Sequence, residues 1–184
     1  MSKEINHPYC RFVQDLNKDN LHKQYHDFRY GFRITDDNEL FGRLLLEINQ
    51  AGLSWDIILK KEVNFRKAFD NFDVSKIAAY TPEKVEELLN NKGIIRNKLK
   101  VNAALHNAQR VLEIQDEFGS FYNWLSLHEE QELTKQAWTK LFKGNFKFTG
   151  GEIVGEFLMS TGFMPGAHDE NCEIYSRINN TLYE

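Results

Sequence analysis

Leu46-Glu47-Ile48-Asn49-Gln50-Ala51-Gly52-Leu53-Ser54-Trp55 is the stretch on which the reading of this chain turns. It closes a run, Glu39 to Gln50, whose apolar residues recur at helical spacing. Leu40, Leu44, Glu47 and Ala51 share one row of that helix. A carboxylate in such a row is unusual, because taking its charge out of water is expensive without a partner. Gly52 is a good stop for the helix, and Ser54 is placed to cap a second one, Trp55 to Phe69. Two readings stand at this point. Either Glu47 lies at the water edge and Trp55 is ordinary core, or the two line a pocket for a flat, polar or cationic heterocycle.

Working outward, the periodicity predicts an all-α chain. Helices are expected over Val74 to Tyr80, from Thr81-Pro82 to about Asn91, Asn97 to Phe118, Phe121 to Leu127, Leu133 to Phe142, and Glu152 to Ser160. Thr81 is a cap and Pro82 suits the first helical position. The second helix is expected to turn Ile57, Ile58, Val63, Phe65 and Phe69 inward. The long helix is expected to bury Leu99, Val101, Ala104, Leu105, Ala108, Val111 and Leu112, and Trp124 and Trp138 read as core. No alternating run is long enough for a sheet. The first 35 residues and the tail after Gly162 read as extended.

At 184 residues, 41% hydrophobic and 13% aromatic, the chain can bury a real core. A single domain over residues 1–184 is expected. No run of 18 apolar residues exists, so no membrane span is expected. Met1 to His7 holds no apolar segment of the secretory kind, which implies a cytoplasmic protein. The net charge of −4 argues against nonspecific coating of nucleic acid but leaves room for local basic patches. Such patches occur at Lys60, Lys61, Arg66 and Lys67, at Lys92, Arg96, Lys98 and Lys100, and at Lys140, Lys143 and Lys147.

Two further constellations carry chemistry. Leu88 to Val101 reads as helix, Asn91-Lys92-Gly93-Ile94-Ile95, helix. Gly93 gives a permissive backbone, and Ile94 and Ile95 can pack between the helices. The free N–H groups at the start of the second helix, with Arg96, Lys98 and Lys100 beside them, are what binds a phosphate, although a purely structural hairpin has the same pattern. Separately, His168 and Cys172 are four apart, on one face of a helical turn, while Cys10 and His26 lie near the other end of the chain. Together they form either a closed tetrahedral Cys2His2 metal site or two unconnected cysteines and surface histidines.

The ordered set of these motifs resembles one family, 3-methyladenine DNA glycosylase I of the helix-hairpin-helix superfamily. The matching pieces are Tyr25-His26-Asp27, Leu46-Glu47, Gln50 to Trp55, Ile58-Leu59-Lys60-Lys61, Gly93-Ile94-Ile95-Arg96, Asn145 to Gly150, and His168 with Cys172. The likeness runs from Cys10 to Cys172. It implies a helix-hairpin-helix glycosylase bundle whose N- and C-terminal segments are joined by a structural zinc on Cys10, His26, His168 and Cys172. It implies a monofunctional DNA glycosylase, acting alone on double-stranded DNA, that flips out 3-methyladenine and hydrolyses its glycosidic bond. In that scheme Glu47 is the catalytic residue, recognising the base and favouring its positive charge, with Tyr25, Tyr30 and Trp55 also contacting it. Gly52 and Leu53 face the DNA, and Gly93, Arg96 and Lys98 hold backbone phosphate without reading sequence.

Two departures from the family pattern bear on activity. Tyr30, preceded by Arg29, stands where the family usually carries Trp, and the region from Phe121 to Leu133 is short. They leave open a non-catalytic module that binds DNA damage without turnover. A lyase using Lys60 or Lys61 as an amine nucleophile is the weakest alternative.

Overall fold

A computed structural model describes residues 4–181. Its helices follow in the order α1 (Pro8–Val13), α2 (Leu21–Phe28), α3 (Asp37–Gln50), α4 (Trp55–Ala68), α5 (Val74–Ala78), α6 (Pro82–Asn90), α7 (Lys98–Phe118), α8 (Phe121–Glu129), α9 (Lys135–Asn145), α10 (Gly151–Ser160) and α11 (Glu173–Thr181). No strand occurs among the described residues, and no helix among them is long and apolar enough to cross a membrane. Side-chain caps set where most helices begin. Asp36, Asp73, Thr81, Asn97, Ser120 and Thr134 each accept an amide of the first turn of the helix that follows. Ser54 occupies the cap position of α4, but its side chain makes no capping bond, contrary to expectation.

The chain divides into two compact units. One runs from Ile34 to Phe157, and the other joins the residues up to Arg33 with those from Leu158 onward. In the larger unit α3 is the central element. Every residue from Leu40 to Asn49 is buried, so the helix is shielded on all sides and not along one row only. Asp37, in its first turn, accepts the amides of Phe121 and Tyr122 at 2.8 and 2.9 Å and so caps α8 as well. Glu39 makes a two-pronged pair with Arg66 of α4, both bonds 2.6 Å. Phe121, Trp124, Phe142, Phe146 and Phe157 form an aromatic core, and Trp124 and Trp138 are buried as expected.

Two expected inward residues point out instead. Val63 is 63% and Leu99 68% exposed. The buried face of α7 begins with Lys100 and Val101 and continues through Ala104, Asn107, Ala108, Val111 and Ile114. Leu99 is out of phase with that stripe. The decisive member is Lys100, a residue that a charge count assigns to the surface.

The smaller unit corrects a larger expectation. The first 35 residues and the tail hold three helices, α1, α2 and α11, and are not extended. All three are only six to nine residues long, and long-range contacts fix their surroundings. Asp169 accepts the amides of Asn6 and His7 at 2.8 and 3.1 Å, and Asn171 donates to the Glu4 carbonyl at 3.0 Å.

Candidate active site and metal centre

Burial dominates the chemistry of Glu47. Only 5% of it is exposed, on the inner turns of α3. Desolvation pushes its carboxyl from 4.5 up to about 8; Arg43, one turn earlier and also buried, pulls it down, and Glu156 of α10 raises it further. The expectation of a water-edge acid is excluded. A carboxyl held neutral in such a place gains most from a cation, whose charge would bring the ionised form back.

Beyond Glu47 the helix ends in a well-built corner. Gly52 has φ +81°, a backbone that a side chain would strain. The Leu53 amide donates to the Gln50 carbonyl at 2.7 Å, and the Gln50 amide nitrogen returns a bond to the Leu53 carbonyl at 2.7 Å. Leu53 and Trp55 are half-buried, and Gly52 is exposed. Lys100 secures the corner from α7. Its Nζ donates to the carbonyls of Asn49 and Ala51 at 2.8 and 2.7 Å, placing a cation on the negative end of α3. Burial lowers the pKa of Lys100. Sequence reasoning placed Lys100 among phosphate-facing cations. The clue to its real role is that it falls on the inward stripe of α7.

The hairpin between α6 and α7 forms as expected, with Ile94 buried and Arg96 and Lys98 exposed. Gly93 is not in a left-handed turn, and its place in the hairpin is closely packed. A β-carbon there would stand 3.0 Å from Asn91 Oδ1 and 3.2 Å from the Asn64 side chain of α4, so either neighbour would have to give by a few tenths of an ångström. Two of the amides expected to be free for phosphate, those of Leu99 and Lys100, are taken by Asn97 Oδ1 at 2.9 and 3.2 Å. Lys61 donates to the carbonyls of Lys92 and Gly93 at 3.1 and 3.2 Å, and Lys60 pairs with Asp56 at 2.7 Å. These contacts brace the hairpin and α4 and give no support to either amine as a nucleophile.

In the smaller unit Cys10, His26, His168 and Cys172 converge. All four are buried, and their donor atoms lie within 4.8 Å of one another. Sulfur–nitrogen separations are 3.3 Å for Cys10–His26, 3.7 Å for Cys10–His168, and 3.8 Å from Cys172 to each histidine. A tetrahedral zinc with ordinary bond lengths has sulfur–nitrogen edges of about 3.6 Å, so the group fits a metal ion and can hold one. The histidines are oriented for it. His26 Nδ1 meets Asp27 Oδ1 at 2.7 Å, leaving Nε2 toward the cysteines. His168 Nε2 donates to the Tyr30 carbonyl at 2.7 Å, leaving Nδ1. Asp27 was given no role in the sequence, although its place beside a ligand histidine is the signal.

Burial holds both histidines in the neutral, ligating form, His168 down at about 4, and pushes the Cys10 thiol up to about 12. A bound cation is what would draw out the thiolates, with release of protons. A cleft of about 720 Å³, lined by Cys10, His26 and Cys172 among others, gives a path to the group. Tyr25 and Tyr30 are buried beside it, their rings 5.7 Å apart, and Tyr30 is 5.5 Å from the His168 ring.

A sequence model described as methyladenine glycosylase matches residues 15–175. The chain belongs to the methyladenine glycosylase family. It is 34% identical over 166 residues to DNA-3-methyladenine glycosylase 1 of Escherichia coli K12, covering 81% of this chain and 89% of that protein. It is 31% identical over 166 residues to DNA-3-methyladenine glycosylase of Haemophilus influenzae Rd, covering 81% and 90%. The solved structure of 3-methyladenine DNA glycosylase I from Staphylococcus aureus, a study of how that enzyme recognises 3-methyladenine, superposes with a TM-score of 0.80. It is 30% identical and covers 92% of this chain and 97% of that one. The methyladenine glycosylase fold is thus present with the all-helical architecture expected from the residues.

Proposed function

We propose that this chain excises 3-methyladenine from double-stranded DNA as a monofunctional glycosylase, acting as a monomer in the cytoplasm, its two units serving as one domain. The observation that carries the reading is Glu47, a carboxyl buried on α3 at the corner that leads to Trp55. Membership of the family and the names of its relatives supply the substrate class.

Methylation at N3 places a positive charge on the base of the nucleotide. Rotated out of the duplex, that base meets Glu47, which ionises against the cation by losing its proton to solvent and accepts a hydrogen bond from the adenine edge, while Trp55 stacks on the ring. The base is already a good leaving group. The glycosidic bond breaks with its electron pair going to the base, cancelling the charge. Water bonds to the sugar carbon and loses a proton to solvent, leaving an abasic site. Gly52 and Leu53 face the gap in the duplex, and Gly93, Arg96 and Lys98 hold phosphate. The roles of Tyr25 and Tyr30 as base contacts rest on the family resemblance.

We assign zinc to the Cys10, His26, His168 and Cys172 group, on the strength of two sulfur and two imidazole donors at tetrahedral spacing. Its part is structural, pinning the start of the chain to its end.

Release of free 3-methyladenine from methylated duplex DNA, wild type against Glu47→Gln, tests the reading. A hydrogen bond to a charged group is worth about 1.5–3 kcal/mol, so the variant is expected to lose at least tenfold in kcat/KM while remaining folded. Equal activity would remove Glu47 from the site. Tight binding of an abasic-site analogue with no release by wild type would establish the non-catalytic module instead.

A further inference from the structure

Phe148 is 40% exposed and held in the left-handed region, φ +63°. An aromatic side chain gains nothing from that backbone, which costs stability to any residue but glycine, so the surroundings must impose it. They do. The Lys147 amide donates to Asn107 Oδ1 at 2.7 Å, and Asn107 Nδ2 donates to the Lys147 carbonyl at 3.1 Å. Arg110 donates twice to Asn145 Oδ1, at 3.0 and 2.8 Å, and Thr149 Oγ1 donates to the Phe146 carbonyl at 3.2 Å. Asn107 is 1% exposed, a polar residue buried to grip one turn of loop. Phe146 and Thr149 point inward on either side, while Phe148 is lifted out.

Its position is as telling as its strain. The Phe148 ring centroid lies 5.9 Å from Lys100 Nζ, and the same Nζ holds the Ala51 carbonyl at 2.7 Å, immediately before Gly52 and Leu53. Asn97, which caps α7, and the exposed Arg96 and Lys98 precede Lys100 in the hairpin. One end of the larger unit therefore carries the Gly52 corner, the hairpin and Phe148. A depression of about 470 Å³ beside the ring is lined by Lys143 and Lys147, both exposed. An outward aromatic with flanking cations is the pattern of a surface that takes nucleic acid bases and backbone.

We infer that Phe148 is a wedge that enters the base stack of duplex DNA near the extruded nucleotide, with Lys143 and Lys147 on the adjoining phosphates. The inference rests on the glycosylase reading above. An aromatic inserted between base steps compensates stacking lost when a nucleotide leaves the duplex. Lys100 couples the wedge to the Gly52 corner, so both approach the DNA as one rigid edge.

The test uses Phe148→Gly and Phe148→Trp in the full chain. Three readouts are taken: affinity for a duplex carrying an abasic-site analogue, kcat/KM for base release from methylated duplex, and binding of free 3-methyladenine. Stacking on one base corresponds to roughly 5- to 150-fold in affinity. Phe148→Gly is expected to lose at least about fivefold on both duplex readouts, to bind the free base as wild type does, and to melt at the same or a higher temperature because the strain is gone. Phe148→Trp is expected to keep the duplex readouts. Wild-type duplex affinity in Phe148→Gly would overturn the wedge. A parallel loss of free-base binding would also overturn it, making Phe148 part of the base pocket or of a surface for another partner. If wild type binds the abasic duplex but releases no base, the glycosylase reading fails and the affinity arm still decides the wedge.

Discussion

Replacing Glu47 with Gln is expected to make this protein more stable, by an amount that grows with pH. In the unfolded chain the carboxyl titrates near 4.5, and in the folded chain burial raises it to about 8. The folded state therefore holds its proton where the unfolded state has lost it. The sign follows from linkage: stability is fully present below pH 4.5 and is lost as pH rises toward 8. Each unit of difference is worth about 1.4 kcal/mol, so the burden on wild type grows by about 4 kcal/mol across that interval. Glutamine has no proton to lose and escapes it. For a chain of this size the melting temperatures would separate by an additional 8–16 °C or so between the two ends of the range. Paired thermal melts of wild type and Glu47→Gln from pH 4.5 to 8 measure this directly. Parallel curves with a constant gap would refute the reasoning, because they would mean that Glu47 is already ionised and satisfied in the folded chain and does not await a cation. The same substitution is expected to weaken base release, so stability and activity move in opposite directions at one buried residue.

Other perturbations probe the remaining parts. Asp27→Asn removes the carboxylate that orients His26 and is expected to lower zinc affinity about 10- to 100-fold in chelator competition, with the four ligands intact; unchanged affinity would dismiss that role. Lys100→Met keeps the aliphatic stem but strips the charge from the end of α3. It is expected to lower stability by about 2–3 kcal/mol in urea titration and to slow base release through the Gly52 corner, whereas an unaltered midpoint with full activity would contradict the tether.

The parts of this molecule legible in its sequence are those governed by local periodicity. The spans of α3, α4, α6 and α7 follow from apolar spacing, Thr81-Pro82, Asn97 and the glycines at Gly52 and Gly119, and the structure keeps them within a few residues. The helices α1, α2 and α11 are six to nine residues long, and side chains distant in sequence such as Asp169 and Asn171 hold their neighbourhood together. Lys100 was misread because a cation on an inward phase is indistinguishable from a surface lysine until its acceptors, the carbonyls of Asn49 and Ala51, are located. The close packing at Gly93 is not visible in the hairpin's own sequence, since the Asn64 side chain beside it lies on another helix. Glu47 stood out in the sequence as an acid in an apolar row, but only the structure shows that it is buried from every side. The Cys10, His26, His168 and Cys172 set lay open between metal site and coincidence on spacing alone. Its convergence gives a buried group that could hold a metal ion, and the hydrogen bonds to Asp27 and to the Tyr30 carbonyl explain how each imidazole is aimed.

Release of a methylated adenine from DNA is most directly measured on the wild-type chain. Wild-type, metal-loaded protein is incubated with methylated duplex DNA, and the small-molecule fraction is resolved by chromatography with mass detection. Free 3-methyladenine is expected to accumulate in step with abasic sites in the duplex, with no strand cleavage by the protein itself. Folded, DNA-binding protein that yields no free base would contradict the glycosylase reading.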